Sequence, residues 1–346
     1  MPAKIHAPTP ASLRRLAAVL RDGGLVAIPT ETVYGLAAHA LDAKACRAIF
    51  RAKGRPANDP LIVHVPDLAH AEQLAEFNAA ARVVARRFWP GPLTIVLPKK
   101  ACVPGIVTSG GPTVALRAPA HPLARQLLKL AGVPLAAPSA NPFSYISPTT
   151  AEHVQQGLGK RIAHILDGGP CPVGVESTVL DLTDPMAPRI LRPGAITAAQ
   201  LEKVLRRHVT TTKRRAKGNA RLAAPGLLAR HYSPRTPLRL VTRPASRDPR
   251  SALVFLRRPQ DAVGRNGATP GRFSKRSALG SNALHPGAVY WLSERGALEE
   301  IARNLYRVLR EADAAGHREI QLEKLPLATG GLAAALNDRM KRAAAR

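Results

Sequence analysis

A chain of 346 residues with 45% hydrophobic content suits two globular domains, each able to bury its own core. Pro, Gly or charge interrupts every apolar run short of a membrane span, and Met1-Pro-Ala-Lys-Ile-His6 lacks the apolar stretch of a signal peptide. A cytoplasmic protein without a membrane segment is therefore expected. The formal net charge of +28 draws polyanions, so nucleotides, tRNA and acidic proteins stand among the expected partners; an Arg-, Ala- and Pro-rich composition alone accounts for the same excess. Cys46, Cys102 and Cys171 stand far apart with no CxxC pair, which argues against a zinc site and a disulfide framework.

Thr9-Pro10 reads as an N-cap followed by proline at the first helical position. Leu13, Leu16, Ala17 and Leu20 then share one face, and Gly23-Gly24 ends the helix. Leu25–Ile28 reads as a short strand, and Cys46–Lys53 as a helix with Ile49 and Phe50 inward. Further strands are expected at Leu61–Val65, Leu93–Leu97, Thr113–Leu116, Ile162–Leu166 and Thr178–Leu182. Helices are expected at Ala79–Phe88, Pro122–Leu130, Thr150–Leu158 and Ala198–Arg207. Strands and helices mixed in this order define an α/β domain with a mixed sheet over residues 1–208.

The run from Arg206 to Arg221 has no acidic residue and no apolar periodicity, so residues 209–236 read as a basic linker. From Pro237 a smaller domain, 237–346, shows strand patterns at Leu238–Val241, Ala252–Leu256, Ala288–Leu292 and Ile320–Leu322. Ile301, Leu305, Val308, Leu309 and Ala312 fall on one helical face, and Gly331–Arg342 reads as a last helix. The alternation predicts a small doubly wound sheet. No GxGxxG follows a strand there, so no dinucleotide site is expected. The Gly-, Arg- and Ser-rich stretch before Ala288 receives no assignment.

Two dense motifs carry the chemistry. Ile28-Pro-Thr-Glu-Thr-Val-Tyr-Gly-Leu36 places a hydroxyl-rich turn after a strand, where Thr30 and Thr32 suit a small polar substrate and Glu31 tempers the local positive field. Lys53-Gly-Arg-Pro-Ala-Asn-Asp-Pro-Leu-Ile-Val-His64 sets two cations on a Gly/Pro loop and ends a strand in histidine. Arg55 offers a planar fork for phosphate oxygens and Lys53 a compact charge beside it. No GxxxxGK[ST] loop exists, and Ser109-Gly-Gly-Pro112 is either a plain turn or a set of backbone amides near a phosphate.

These motifs resemble the YrdC/Sua5 family, the threonylcarbamoyl-AMP synthases. Phe88-Trp-Pro-Gly-Pro-Leu-Thr-Ile-Val96, Val114-Ala-Leu-Arg-Ala-Pro119, Ala137-Pro-Ser-Ala-Asn141, Glu176-Ser-Thr-Val-Leu-Asp181 and Leu191-Arg-Pro-Gly194 are similar to the family's blocks, in its order. Ala224-Pro-Gly-Leu-Leu-Ala-Arg-His-Tyr-Ser-Pro234 is similar to the interdomain signature of the long, two-domain form. The resemblance implies a YrdC-like mixed twisted sheet with helices, followed by a smaller Rossmann-like C-terminal domain. It implies a reaction of L-threonine, bicarbonate or CO2, and ATP with Mg2+, giving threonylcarbamoyl-AMP and pyrophosphate. A downstream tRNA threonylcarbamoyl transferase would use that product to modify ANN-decoding tRNAs.

Carried over residue by residue, the family's threonine site falls on Thr32, His64, Arg117 and Ser177, with the backbone at Ala137. Its ATP contacts fall on Arg55, Asp59, Thr113, Ser139, Ser147, Arg192 and His231, with Lys53 as an added neutraliser of phosphate and Asn141 orienting the nucleotide. Lys53, Arg55 and His64 are the expected catalytic residues, His64 by assisting a proton transfer as the amine is carboxylated. No resident metal site in the protein is expected. Two positions depart from the family pattern: Asp59 stands where Asn is common, and Ser144 where Gly is usual. Two other readings stay open on sequence alone. One is a basic RNA-binding module without catalysis. The other is a carbamoyltransferase like the hydrogenase-maturation proteins, against which stand the missing acylphosphatase domain and Cys-rich zinc motifs.

Overall fold

A computed structural model describes residues 2–212, 231–260, 288–326 and 331–345. The chain divides into two units: Met1–Phe143 with Ser147–Ala229, and Ser144–Ile146 with Arg230–Arg346.

The first unit begins β1 (Lys4–His6), α1 (Pro10–Arg21), β2 (Val26–Ile28), β3 (Gly35–His39), α2 (Ala43–Lys53) and β4 (Ile62–His64). It continues α3 (Leu68–Glu72), α4 (Ala79–Phe88), β5 (Leu93–Pro98), β6 (Thr113–Arg117), α5 (Pro122–Ala131), β7 (Leu135–Ala136) and α6 (Ala151–Leu158). It ends with β8 (His164–Leu166), β9 (Thr178–Asp181), β10 (Arg189–Arg192), α7 (Ala198–Leu205) and β11 (Thr210–Thr211). The strands form one mixed sheet ordered β1-β8-β2-β3-β7-β4-β6-β5-β9-β10-β11.

Local chemistry fixes the helices. Thr9 caps α1 by accepting from the Ser12 amide, Pro10 opens it, and Leu13, Leu16, Ala17 and Leu20 are buried together. Asp42 caps α2 through the Lys44 and Ala45 amides, and Gly54, at φ 65°, ends it in a left-handed turn. That turn directs the chain into the Arg55 loop. One apolar layer runs from Leu36, Ile49 and Val63 through Leu93 and Leu116 to Leu180; a second joins α1 to α5 through Leu16, Leu20, Leu127 and Leu128.

The expected strands and helices of this unit are present within a few residues. The sheet also contains β1, β3, β7, β10 and β11, which the sequence pattern did not announce. Gly35-Leu-Ala-Ala-His39 is poor in β-branched residues, yet pairing with β2 on one side and β7 on the other makes it a strand. β11 pairs parallel with β10, so the sheet reaches past residue 208 into the expected linker. The rest of that linker, residues 213–230, lies outside the described residues, whereas His231–Thr236 belong to the second unit.

The second unit contains β12 (Leu238–Val241), β13 (Ser251–Arg257), β14 (Ala288–Ser293), α8 (Leu298–Ala314), β15 (Glu319–Glu323) and α9 (Gly331–Ala343). Its four strands are parallel, in the order β12-β15-β13-β14. Six consecutive residues of β13 are buried, as expected of a strand covered on both faces. Tyr145 is held in this unit: its hydroxyl donates to Asp313 Oδ2 (2.7 Å), and the Arg235 and Arg310 guanidiniums lie over its ring. Burial and the Asp313 carboxylate push that hydroxyl up to about 12. Ser144 takes φ 63°, a left-handed conformation that explains glycine's usual place there, and its carbonyl accepts from the Ser233 amide (2.9 Å). Among the described residues, no helix is long and apolar enough to cross a membrane.

Candidate active site

The turn after β2 is tied by a hydroxyl. Thr30 Oγ1 accepts from the Thr32 and Val33 amides (3.2 Å each) and lies 2.9 Å from Thr32 Oγ1. Such a side-chain turn replaces the ladder that β2 leaves behind and buries Glu31 and Thr32.

Across the sheet, parallel pairing of β4 with β6 puts His64 beside Arg117 at the strand ends. Arg117 Nη1 donates to Thr32 Oγ1 (2.9 Å), Nη2 pairs with Glu31 Oε1 (2.7 Å), and Nε donates to the Gly91 carbonyl (3.2 Å). Burial opposes ionisation of Glu31, yet the Arg117 charge and hydrogen bond, with the amides of Glu31 and Ala120, hold its carboxyl below the usual range. His64 is fully enclosed. Burial, reinforced by the Arg117 charge, pushes its imidazole down to about 3, so the ring is neutral, and its Nδ1 has no hydrogen-bond partner. Thr32, His64 and Arg117 thus form one cluster.

A second cluster surrounds Ser177. Its hydroxyl lies 2.7 Å from Thr94 Oγ1 and accepts from Arg192 Nη2 (3.1 Å), while Arg192 Nε donates to the Ser177 carbonyl (3.1 Å). Gly194 permits this contact, because a Cβ there would stand 2.3 Å from the Thr178 amide nitrogen. Next to it, Ser147 Oγ donates to Glu176 Oε1 (2.6 Å).

The Lys53–His64 segment is organised differently. Lys53 Nζ is buried and donates to the carbonyls of Ser139 and Asn141 (2.6 Å each), so it tethers the loop that follows β7. Burial and neighbouring Arg55 depress its ammonium well below the usual lysine value. Arg55 donates to the carbonyls of Asp59 (3.0 Å) and Pro60 (2.8 Å) and ion-pairs with Asp59 Oδ1 (2.9 Å). The carboxylate at the position where Asn is common is therefore matched by a cation four residues earlier. Asn141 is buried and Ser139 half-buried on the tethered loop, where Ser139 forms an isolated bridge with Gly35.

Of the remaining expected residues, Ala137 is buried, with its amide on the Ile62 carbonyl (3.0 Å). Thr113 is half-buried and opens β6, the strand that Arg117 closes, which separates the two by roughly 13 Å. His231 lies in the second unit, buried, with its ring 4.0 Å from that of Tyr232. Thr94 was not singled out from the sequence. Its signal is a lone hydroxyl residue inside the apolar strand Leu93-Thr-Ile-Val-Leu-Pro98.

A mixed α/β sheet whose strand ends gather buried arginines, hydroxyls and a neutral imidazole belongs to the class of proteins that bind small polar and anionic substrates. Residues 18–194 match the Sua5_yciO_yrdC family, described as "Telomere recombination", and residues 196–345 match "Threonylcarbamoyl-AMP synthase, C-terminal domain". The threonylcarbamoyl-AMP synthase of Pyrococcus abyssi is 40% identical over 332 residues, covering 96% of this chain and 93% of that protein. The Bacillus subtilis synthase is 39% identical over 336 residues, with the same coverage of both chains. The crystal structure of P. abyssi Sua5 complexed with L-threonine superposes with a TM-score of 0.82 at 36% identity, covering 99% of this chain and 98% of that one. The chain belongs to the Sua5 family of threonylcarbamoyl-AMP synthases, in its two-domain form.

Proposed function

We propose that the chain is an L-threonylcarbamoyladenylate synthase, a nucleotidyltransferase. It makes threonylcarbamoyl-AMP and pyrophosphate from L-threonine, bicarbonate or CO2, and ATP, as the precursor of N6-threonylcarbamoyladenosine in ANN-decoding tRNAs. The observation that carries this reading is the buried Thr32–Arg117–His64 cluster, in a chain whose synthase relatives match it over nearly its whole length. A separate tRNA threonylcarbamoyl transferase consumes the product. The net charge of +28 is the ground for direct contact with tRNA, in the cytoplasm where nucleotide and tRNA meet.

The chemistry runs in two steps. The free-base amine of L-threonine attacks the carbon of CO2; an N–C bond forms, one C=O electron pair moves to oxygen, and a proton leaves the nitrogen. A carbamate oxygen then attacks the α-phosphorus in line, and the bond to pyrophosphate breaks. Positioning and charge neutralisation accelerate such transfers more than covalent help does.

In this reading Arg117 takes the amino acid's carboxylate, with Thr32 and Ser177 as hydroxyl partners and the Ala137 backbone beside them. Neutral His64, with Nδ1 unpartnered, offers a hydrogen-bond acceptor to the substrate's amine. Arg55 and Arg192 face phosphate, and the loop bearing Ser139 and Asn141, tethered by Lys53, holds the nucleotide with Ser147 and Thr113. Asp59 acts through Arg55. Mg2+ would travel with ATP, since substrate phosphates with one or two carboxylates are its usual ligands, and no group of three metal-ligating side chains forms among the described residues. When bound, it neutralises phosphate charge.

The test is product identification by mass after incubation with ATP, Mg2+, L-threonine and 13C-bicarbonate. An adenylate carrying threonine and the labelled carbon is expected. AMP or ADP as the only nucleotide product would overturn the reading.

A further inference from the structure

Glu31 is a charged side chain of the amino-acid end to which the reaction above gives no task. Its carboxylate is buried, 2.7 Å from the guanidinium that receives the substrate's carboxylate, and sits in the chain directly before Thr32. A guanidinium has five N–H donors. Nε donates to the Gly91 carbonyl and Nη1 to Thr32, while Nη2 faces Glu31 as an ion pair, so the terminal nitrogens keep N–H donors for a ligand.

The charges beside the Thr32 turn are paired. Arg117 is balanced by Glu31. Within their field, His64 is neutral, burial lowers His121, and burial pushes the Cys171 thiol up to about 12. The next cation, Arg192, holds Ser177 and serves the nucleotide in the reading above. A zwitterion with an uncharged side chain adds no net charge to such a site. An amino acid with a second carboxylate brings a negative charge beside Glu31, with the facing guanidinium already shared. Buried like charges cost far more than the loss of a contact, which makes an internal carboxylate an effective excluder.

We propose that Glu31 is a specificity-determining residue: paired to Arg117, it restricts the amino-acid end to zwitterions with uncharged side chains and rejects those with a side-chain carboxylate. The inference rests on the synthase reading and names what that site refuses. L-aspartate is the informative probe, because it is close to L-threonine in size and differs from L-asparagine mainly in charge.

The test compares L-aspartate and L-asparagine as competitors of L-threonine in pyrophosphate release, with calorimetric titration of each amino acid alongside. In the wild-type protein, asparagine should compete at least about ten-fold better than aspartate. In Glu31→Gln, an isosteric uncharged variant, that preference should shrink to within about three-fold, because the repulsion is gone while the hydrogen-bonding shape remains. Equal competition by the two in the wild-type protein would overturn the proposal even if the variant failed to fold. A folded Glu31→Gln protein that kept the full preference would overturn it as well. Binding of none of the amino acids, L-threonine included, would remove the synthase reading and this inference with it.

Discussion

Two buried arginine–carboxylate pairs define the first unit, and they are built in opposite ways. Arg55 and Asp59 stand four residues apart on one loop, 2.9 Å from each other, and Arg55 also bonds to that loop's own carbonyls. Arg117 and Glu31 come from segments far apart in the chain, and through Thr32 and Gly91 the guanidinium gathers three pieces of structure at once. The local pair organises a loop that forms largely from its own sequence. The long-range pair is a junction, so its integrity reports on the tertiary fold.

Removing the junction should therefore have the largest effect. Arg117→Ala leaves the Glu31 carboxylate buried without its partner and should cost about 3–5 kcal/mol in urea unfolding, besides abolishing L-threonine-dependent turnover. Arg55→Ala also takes the cation from a buried carboxylate, Asp59, but on a local loop that can open to water, so it should cost less, about 2 kcal/mol, while still abolishing ATP-dependent synthesis. An equal loss of stability in both variants would erase the distinction between junction and loop.

The third prediction uses protons. His64 is pushed down to about 3 in the folded protein, so the unfolded chain binds the extra proton between there and about 6.5. Stability is then full above pH 6.5 and falls as pH drops below it. Glu31, held below its ordinary value, acts lower: its contribution is present above the usual carboxylate range and is lost as pH falls through its folded value. Between pH 6.5 and 4.5 the wild-type protein should lose roughly 1 kcal/mol per pH unit more than His64→Gln does. Parallel curves would show that His64 is protonated in the folded state. The smallest effect belongs to the second unit. Ser144→Gly relieves a left-handed backbone at φ 63° and should raise stability by less than about 1 kcal/mol, read from thermal unfolding.

Where structure follows from neighbouring residues, the sequence was legible. Thr9-Pro10 announced α1, the 3.6-residue spacing placed α4 at Ala79–Phe88 and the buried face of α8, and apolar runs marked β5, β9 and β12. Strands formed by tertiary pairing were not legible: the alanines of β3 and the two-residue β7 have no strand preference of their own. The site divides along the same line. Arg117 and Thr32 stood out as residue types, but the ammonium of Lys53, read as a neutraliser of phosphate, is engaged by carbonyls 86 and 88 residues later in the chain. No local pattern shows such a tether. Thr94 was missed because a single hydroxyl in a strand is ordinary until Ser177 lies opposite.

The most direct test is pyrophosphate release by the purified protein with ATP, Mg2+ and bicarbonate, comparing L-threonine with L-serine and with no amino acid. Release that requires both L-threonine and bicarbonate, and that disappears in Arg117→Ala, is the predicted result. Release that is indifferent to the amino acid, or absent from a folded protein that binds ATP, would contradict the account.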